Sequence, residues 1–233
     1  MGENILVVDD EKEIADLLEV YLKNDGYTVY KFYNGIDALR CIEETELDLA
    51  ILDVMIPDID GFHICQTIRE NYYYPIIILT AKVEDGDKIM GLTIGADDYI
   101  TKPFNPLEVL ARVKTQLRRY TRYNNPVKKE IDEISEYDIR GLLINKKNHK
   151  CYLFGKEIKL TPIEFSVLWY LCEHQGVVVP LEELFEAVWR EDYLNNNNTV
   201  MAHIGRIREK MNEHAKKPKF IKTVWGVGYI IEK

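Results

Sequence analysis

Asp9 and Asp10 follow the apolar run "ILVV", Asp53 follows "LAIL", Thr80 follows "IIIL", and Lys102 stands just beyond "DYI". Each run has the length of a buried strand, and an open parallel sheet gathers ligands at the carboxyl ends of its strands. Three carboxylates, a hydroxyl and an ammonium therefore converge on one rim. Crowded carboxylates repel one another unless a cation joins them, and a hard divalent ion with oxygen ligands, above all Mg²⁺, suits them. A carboxylate beside such an ion can act as nucleophile toward a phosphoryl group and give an aspartyl phosphate. The ion and the lysine then neutralise charge on the transferring oxygens.

The elements that must position these residues alternate. Strands at "ILVV", "TVYKFY", "LAIL", "IIIL" and "DYI" are separated by helical spacing in "EIADLLEVYL", "GIDALRCIEE", "GFHICQTIRE", "DKIMGLTIG" and "PLEVLARVKTQLRR". Five short apolar strands separated by helices predict a doubly wound α/β domain, a parallel sheet covered on both faces, over residues 1–120. Pro57 and Gly61 shape the loop beyond Asp53. The polar stretch at residues 121–135 lacks a sustained apolar period and reads as a linker.

Residues 136–233 have a different character. "IRGLLINKKNHKCYLFGKEIKL" alternates short apolar pieces with turn residues, as small antiparallel strands do. In "LTPIEFSVLWYLCEH" Thr161 can cap a helix, Pro162 suits its first position and Glu164 completes a capping box. "LEELFEAVW" is a second helix, Asn198 or Thr199 can cap a third at "TVMAHIGRIREKMN", and "KFIKTVWGVGYIIEK" reads as a closing hairpin turning near Gly226 and Gly228. Three helices ending in a hairpin predict an α+β winged helix-turn-helix.

Charge divides along the same line. The whole chain of 233 residues carries −9, but residues 1–120 hold 12 basic against 23 acidic residues, while the stretch from Asn195 onward holds 8 against 3. An acidic domain joined to a basic end suggests a nucleic-acid partner for the latter. In the third helix Val200, Ile204, Ile207 and Met211 form the apolar stripe, which leaves Met201, Ala202, Gly205, Arg206, Arg208 and Glu209 on the other face. Arginine suits guanine edges and phosphates, so Arg206 is the expected base contact and Arg208 the expected phosphate contact, with Thr199 and Ala202 beside them. His203 reads as a packed or phosphate-facing side chain rather than a metal ligand.

No apolar run approaches the roughly 18 residues that a membrane span needs, and no charged-then-apolar leader precedes the first strand. Cys41, Cys65, Cys151 and Cys172 lie far apart without metal-ligand spacing and read as reduced core thiols, which places the chain in the cytoplasm. A phosphatase using an aspartyl nucleophile would carry a DxDxT run, and none occurs. A DNA-binding protein with a silent first domain is the other alternative, and the intact acidic set argues against it.

"ILVVDDE", "LAILDVMIPDIDGF", "ILTA" and "GADDYITKPF" resemble the receiver domain of two-component response regulators, and "LTPIEFSVLWYL" with "TVWGVGY" resembles the DNA-binding domain of their OmpR/PhoB subfamily. The resemblance implies that a sensor histidine kinase phosphorylates Asp53 and that Asp9, Asp10, Asp53 and the Met55 carbonyl hold Mg²⁺. It also implies that Lys102 pairs with the phosphoryl group, that Thr80 follows it, that Tyr99 turns inward behind it, and that the Lys102–Pro103 bond is cis. A two-fold receiver dimer on Lys88, Asp97, Asp98, Glu108, Arg112 and Arg119, direct-repeat promoter DNA and RNA polymerase are the further implied partners. Gly205 stands where relatives often have a basic residue, and Trp225 replaces the common wing arginine. Within the subfamily, "LEVYLKNDGYTV", "GLTIGADDYITKPF" and "IKTVWGVGYIIEK" are similar to regulators of inducible vancomycin resistance.

Overall fold

The computed structural model describes residues 2–81, 95–124, 135–190, 197–213 and 218–233. The chain divides into two compact units, Met1–Tyr120 and Thr121–Lys233.

In the first unit β1 (Asn4–Val8), β2 (Thr28–Phe32), β3 (Leu49–Asp53), β4 (Ile76–Thr80) and β5 (Asp98–Thr101) form one parallel sheet in the order β2-β1-β3-β4-β5. Its described helices are α1 (Lys12–Asn24), α2 (Gly35–Glu44), α3 (Gly61–Asn71) and α4 (Pro106–Asn124). Side chains alternate across a strand, and the central strands are apolar on both faces. Ile5, Val7, Leu49, Ile51, Ile77 and Leu79 pack with α1 and α4 residues such as Leu18, Leu22, Val109 and Val113. Their neighbours Leu6, Val8, Ala50, Leu52, Ile76 and Ile78 pack with Ala38, Ile42, Ile64 and Ile68 of α2 and α3. The five-stranded, two-sided sheet read from the sequence is therefore the sheet observed. Asn34 and Asp60 set the starts of α2 and α3, their side chains accepting the backbone N–H groups of Asp37 and His63.

One boundary differs from expectation. The helix α4 runs on to Asn124, so residues 121–124, expected in the linker, are helical. The helix expected at "DKIMGLTIG" lies outside the described residues.

In the second unit β6 (Glu136–Ile139), β7 (Leu142–Asn145), β8 (Lys150–Leu153) and β9 (Lys156–Ile158) form an antiparallel four-stranded sheet. Three helices follow, α5 (Pro162–Glu173), α6 (Leu181–Trp189) and α7 (Asn197–Lys210), and a three-stranded sheet pairs β10 (Val179–Pro180), β12 (Gly228–Ile231) and β11 (Ile221–Val224). The capping box is present as read: Glu164 N–H donates to Thr161 Oγ1 at 3.4 Å, and Thr161 N–H donates to Glu164 Oε2 at 2.8 Å. Helix α5 is buried almost all round, which marks it as the centre of this unit's core. The β11–β12 hairpin turns through Gly226, whose φ of +76° lies in the left-handed region that glycine tolerates best. Helix α7 starts at Asn197, so Asn198 and Thr199 lie inside its first turn rather than capping it. Among the described residues, no helix is long and apolar enough to cross a membrane.

Candidate functional site

The strand order reverses direction at the β1–β3 pair, and that is where the carboxylates meet. Val8 pairs with Leu52, so Asp9, the next residue after β1, stands beside Asp53 at the end of β3. Oxygen atoms of Asp9, Asp10 and Asp53 all lie within 4.8 Å of one another. Register also pairs Thr80 with Thr101, and the Lys102 N–H donates to the Thr80 carbonyl at 2.7 Å, which carries Lys102 to the same rim. Its Nζ donates to Asp53 Oδ2 at 2.7 Å and stands 2.9 Å from Asp9 Oδ2. The Lys102–Pro103 bond is cis.

Backbone groups complete the positioning. Met55 N–H donates to Asp53 Oδ1 at 3.1 Å, and Glu11 N–H donates to Asp9 Oδ1 at 3.0 Å. Gly61 opens α3 directly behind the site, where a Cβ would stand 2.0 Å from the Asp53 carbonyl oxygen. Glu11 is a site residue that the sequence reading missed: its Oε1 accepts from Lys102 Nζ at 3.0 Å. Its place in "DDE" was the available signal, but as the residue just before α1 it reads equally well as ordinary helix-terminal charge.

The electrostatics follow from burial. Asp9 is wholly buried. Burial, with the Asp53 charge adding to it and Lys102 offsetting part, pushes the Asp9 carboxyl up to about 6. Burial works against the Lys102 ammonium, yet its bonds to Asp53, Asp9 and Glu11 outweigh that and raise its pKa. Asp9 Oδ2 is met by the Lys102 ammonium at 2.9 Å and, among the described residues, by no other donor. A buried, underused carboxylate oxygen facing two other carboxylates is what a site for a hard divalent cation offers. The residues present fit Mg²⁺.

Thr80 is buried at the end of β4, and Tyr99, paired with Ile78, is half-buried against the α2–α3 side of the core. Of the charged residues implied for the dimer face, Glu108, Arg112 and Arg119 lie on α4, and the two aspartates do not. Asp98 opens β5 and Asp97 immediately precedes it, so neither is helical. Asp97 is only 1% exposed and is held within the chain: Arg69 Nη2 donates to its Oδ2 at 2.6 Å and Ile76 N–H donates to the same oxygen at 2.9 Å. Asp98 pairs with Arg112 at 3.0 Å, which also reaches Glu108 at 3.2 Å. Arg119 is half-buried, and Lys88 lies outside the described residues.

In the second unit the apolar stripe of α7 is as read, with Val200, Ile204, Ile207 and Met211 all buried. His203 is packed, 5.3 Å from the Trp189 ring. Thr199 is half-buried and Ala202 nearly buried, whereas Met201, Gly205 and Glu209 are exposed. The two arginines expected to point outward are buried in this structure. Arg206 is 7% exposed, its Nη2 lying 2.6 Å from His203 Nδ1 and its Nη1 3.7 Å from Glu164 Oε1. Arg208 is 8% exposed, donating to the Ile221 carbonyl at 2.7 Å and to Thr223 Oγ1 at 2.8 Å. Long arginine side chains reach past the helix face that their sequence position indicates, toward acceptors on neighbouring elements. Trp225 is 89% exposed at the hairpin turn.

A switch-point acidic pocket with a lysine, followed by a three-helix unit closed by a wing, defines a response regulator with a receiver and a DNA-binding domain. Comparison with known proteins agrees: residues 5–114 match the response regulator receiver domain and residues 155–231 the C-terminal domain of transcriptional regulatory proteins. The chain belongs to the two-component response regulators of OmpR/PhoB type. It is 62% identical over the full length of both chains to the regulatory protein VanRc of Enterococcus gallinarum, and 56% identical, again over both full lengths, to the regulatory protein VanR of Enterococcus faecium. Among solved structures it resembles the Thermotoga maritima OmpR/PhoB homologue DrrB over all of both chains, with 36% identity and a TM-score of 0.50. A RitR mutant matches over all of both chains with 25% identity and a TM-score of 0.72.

Proposed function

We propose that this chain is a phosphorylation-switched transcription factor whose phosphoryl acceptor is Asp53. The observation that carries this reading is Lys102, whose single ammonium contacts both Asp53 at 2.7 Å and Asp9 at 2.9 Å. A side-chain oxygen of Asp53 attacks the phosphorus of a phosphohistidine on a sensor kinase. The new O–P bond forms as the P–N bond breaks, and the imidazole leaves with the electron pair. Lys102 supplies a fixed positive charge to the developing phosphoryl oxygens and Thr80 receives one of them. Asp9, Asp10, Asp53 and the Met55 carbonyl would hold Mg²⁺, which when bound neutralises further charge on those oxygens. The reaction is assisted by the chain's own residues, but the product is a modified regulator rather than a released metabolite.

Phosphorylation then favours a receiver dimer through the Asp98, Glu108, Arg112 and Arg119 region, with Lys88 and Asp97 as further candidates, and raises affinity for direct-repeat promoter DNA read by α7 in contact with RNA polymerase. The likeness to VanRc and VanR supports glycopeptide (vancomycin) resistance genes as the targets, and a cytoplasmic setting follows from that role.

Acetyl phosphate with Mg²⁺ should label the wild-type chain and leave Asp53→Asn unlabelled, and the labelled chain should sediment as a dimer and protect a direct repeat near its own coding sequence. Labelling of Asp53→Asn at the wild-type rate would overturn the acceptor assignment.

A further inference from the structure

Among the described side chains of α7, the exposed ones carry no positive charge. They are Met201, Gly205 and Glu209, which follow one another at spacings of four and so share one face of the helix. Thr199 and Lys210 are half-buried, and Arg206 and Arg208 are 7% and 8% exposed. Phosphate contacts position a protein on a duplex, whereas contacts to base edges specify the sequence, so the composition of this stripe bears on readout.

The chemistry of the stripe is restrictive. A carboxylate only accepts hydrogen bonds, a thioether sulfur accepts weakly and glycine has no side chain, so these residues offer no side-chain donor. Guanine presents only acceptors, O6 and N7, in the major groove and cannot bond to such a surface. Thymine presents a methyl group there, which an apolar side chain covers. Met201 is 46% exposed, and an unbranched, adaptable methionine suits a small methyl target.

Gly205 is an independent observation on the same face. It lies inside a helix of 14 residues, where glycine is less favourable than alanine. No described neighbour requires it, since a Cβ there would meet nothing within 4 Å. What a bare position on an exposed helix face provides is room for the backbone to come close to another molecule.

Resting on the reading of α7 as the DNA-reading helix, we propose that Met201 and Gly205 are its specificity-determining residues: Met201 covers a thymine methyl group, and Gly205 lets the helix backbone close on the base edges. The helix then selects thymine by apolar contact in place of guanine by arginine. Close approach at Gly205 is what brings the methionine one turn away into contact with the methyl group, so the two residues act together.

The test uses the full phosphorylated chain and a duplex that it selects from a random-sequence pool. Each thymine of that duplex is replaced in turn by uracil, which removes only the C5-methyl group, and each guanine by 7-deazaguanine, which removes the N7 acceptor. Uracil at one or more positions should weaken wild-type binding about 3- to 5-fold, the worth of one buried methyl group. Met201→Ala, with folding verified by thermal unfolding, should lose a similar factor on the thymine duplex and be indifferent to uracil at those positions. Gly205→Ala should melt above wild type, because alanine is the better helix former, yet bind the selected duplex roughly 10-fold more weakly. Wild-type binding that is insensitive to uracil throughout, a uracil penalty undiminished in Met201→Ala, or a penalty confined to 7-deazaguanine overturns the thymine reading while leaving DNA binding intact. Wild-type affinity in Gly205→Ala overturns the close approach. Failure to select any duplex overturns the proposed function itself, and this inference with it.

Discussion

The Lys102 ammonium lies 2.7 Å from Asp53 Oδ2, which joins the residue after β5 to the last residue of β3 across the intervening strand β4. One cation at that point lowers the repulsion between Asp53 and Asp9, and under the proposed function it also faces the phosphoryl group on Asp53. The same geometry makes stability and reactivity of the pocket interdependent, and the consequences can be measured.

At neutral pH Asp9 is ionised against the resistance of its buried setting, its pKa being pushed up to about 6. Asp9→Asn should therefore raise receiver stability without metal by about 1–3 kcal/mol, or a melting shift on the order of 5 °C. Millimolar Mg²⁺ should raise the melting temperature of wild type and have little effect on the variant. Equal Mg²⁺ responses in the two proteins, read by differential scanning calorimetry, would count against the assignment of Asp9 as a ligand.

Gly61 tests how tightly the loop behind Asp53 is packed. An alanine Cβ would stand 2.0 Å from the Asp53 carbonyl oxygen and 2.8 Å from its carbon, both backbone atoms that cannot rotate away. Gly61→Ala should cost about 1–3 kcal/mol and slow acetyl phosphate labelling through displacement of Asp53. Urea unfolding and labelling rate, measured side by side, give both readouts.

Arg69 and Asp97 form a buried pair with side-chain exposures of 10% and 1%. Arg69→Met removes the guanidinium from the buried Asp97 carboxylate and should destabilise the receiver by about 3–5 kcal/mol. Adding Asp97→Asn to that variant should recover a substantial part, because the buried charge is then gone. A double-mutant cycle in which the second change brings no recovery would show that Asp97 is not held by charge pairing.

Burial alone would raise the Glu164 pKa, but the charges of Arg206 and Lys210 prevail and the carboxyl is held below its ordinary 4.5. The unfolded chain thus binds more protons than the folded one between the two values. Stability from this group is fully present above about pH 4.5 and is lost as pH falls through the folded-state pKa. Glu164→Gln should weaken the second unit at pH 7 and flatten its acid unfolding limb. An unchanged acid limb in thermal melts from pH 6 to 3 would speak against the buried ion pair.

Much was legible in the sequence because local chemistry and strand period carry it. Apolar runs of four residues ending in Asp53, Thr80 or Asp9 specify both a two-sided strand and what stands at its rim. The Thr161–Pro162–Glu164 cap is equally local. Charged side chains were harder to place: Asp97 reads as surface from its polarity alone, and its burial depends on Arg69, 28 residues earlier, arriving from another element. Glu11 was missed for a similar reason, since its partner Lys102 is 91 residues away.

By itself the sequence determined the two-domain order, the five-stranded sheet, the acidic pocket with its lysine and the apolar stripe of α7, all set by backbone period and strand ends. Only the tertiary structure decided where the long cations point. Arg69, Arg206, Arg208 and Lys210 have flexible side chains that span several ångströms, so their partners are chosen by which carboxylates, carbonyls and ring nitrogens folding brings within reach.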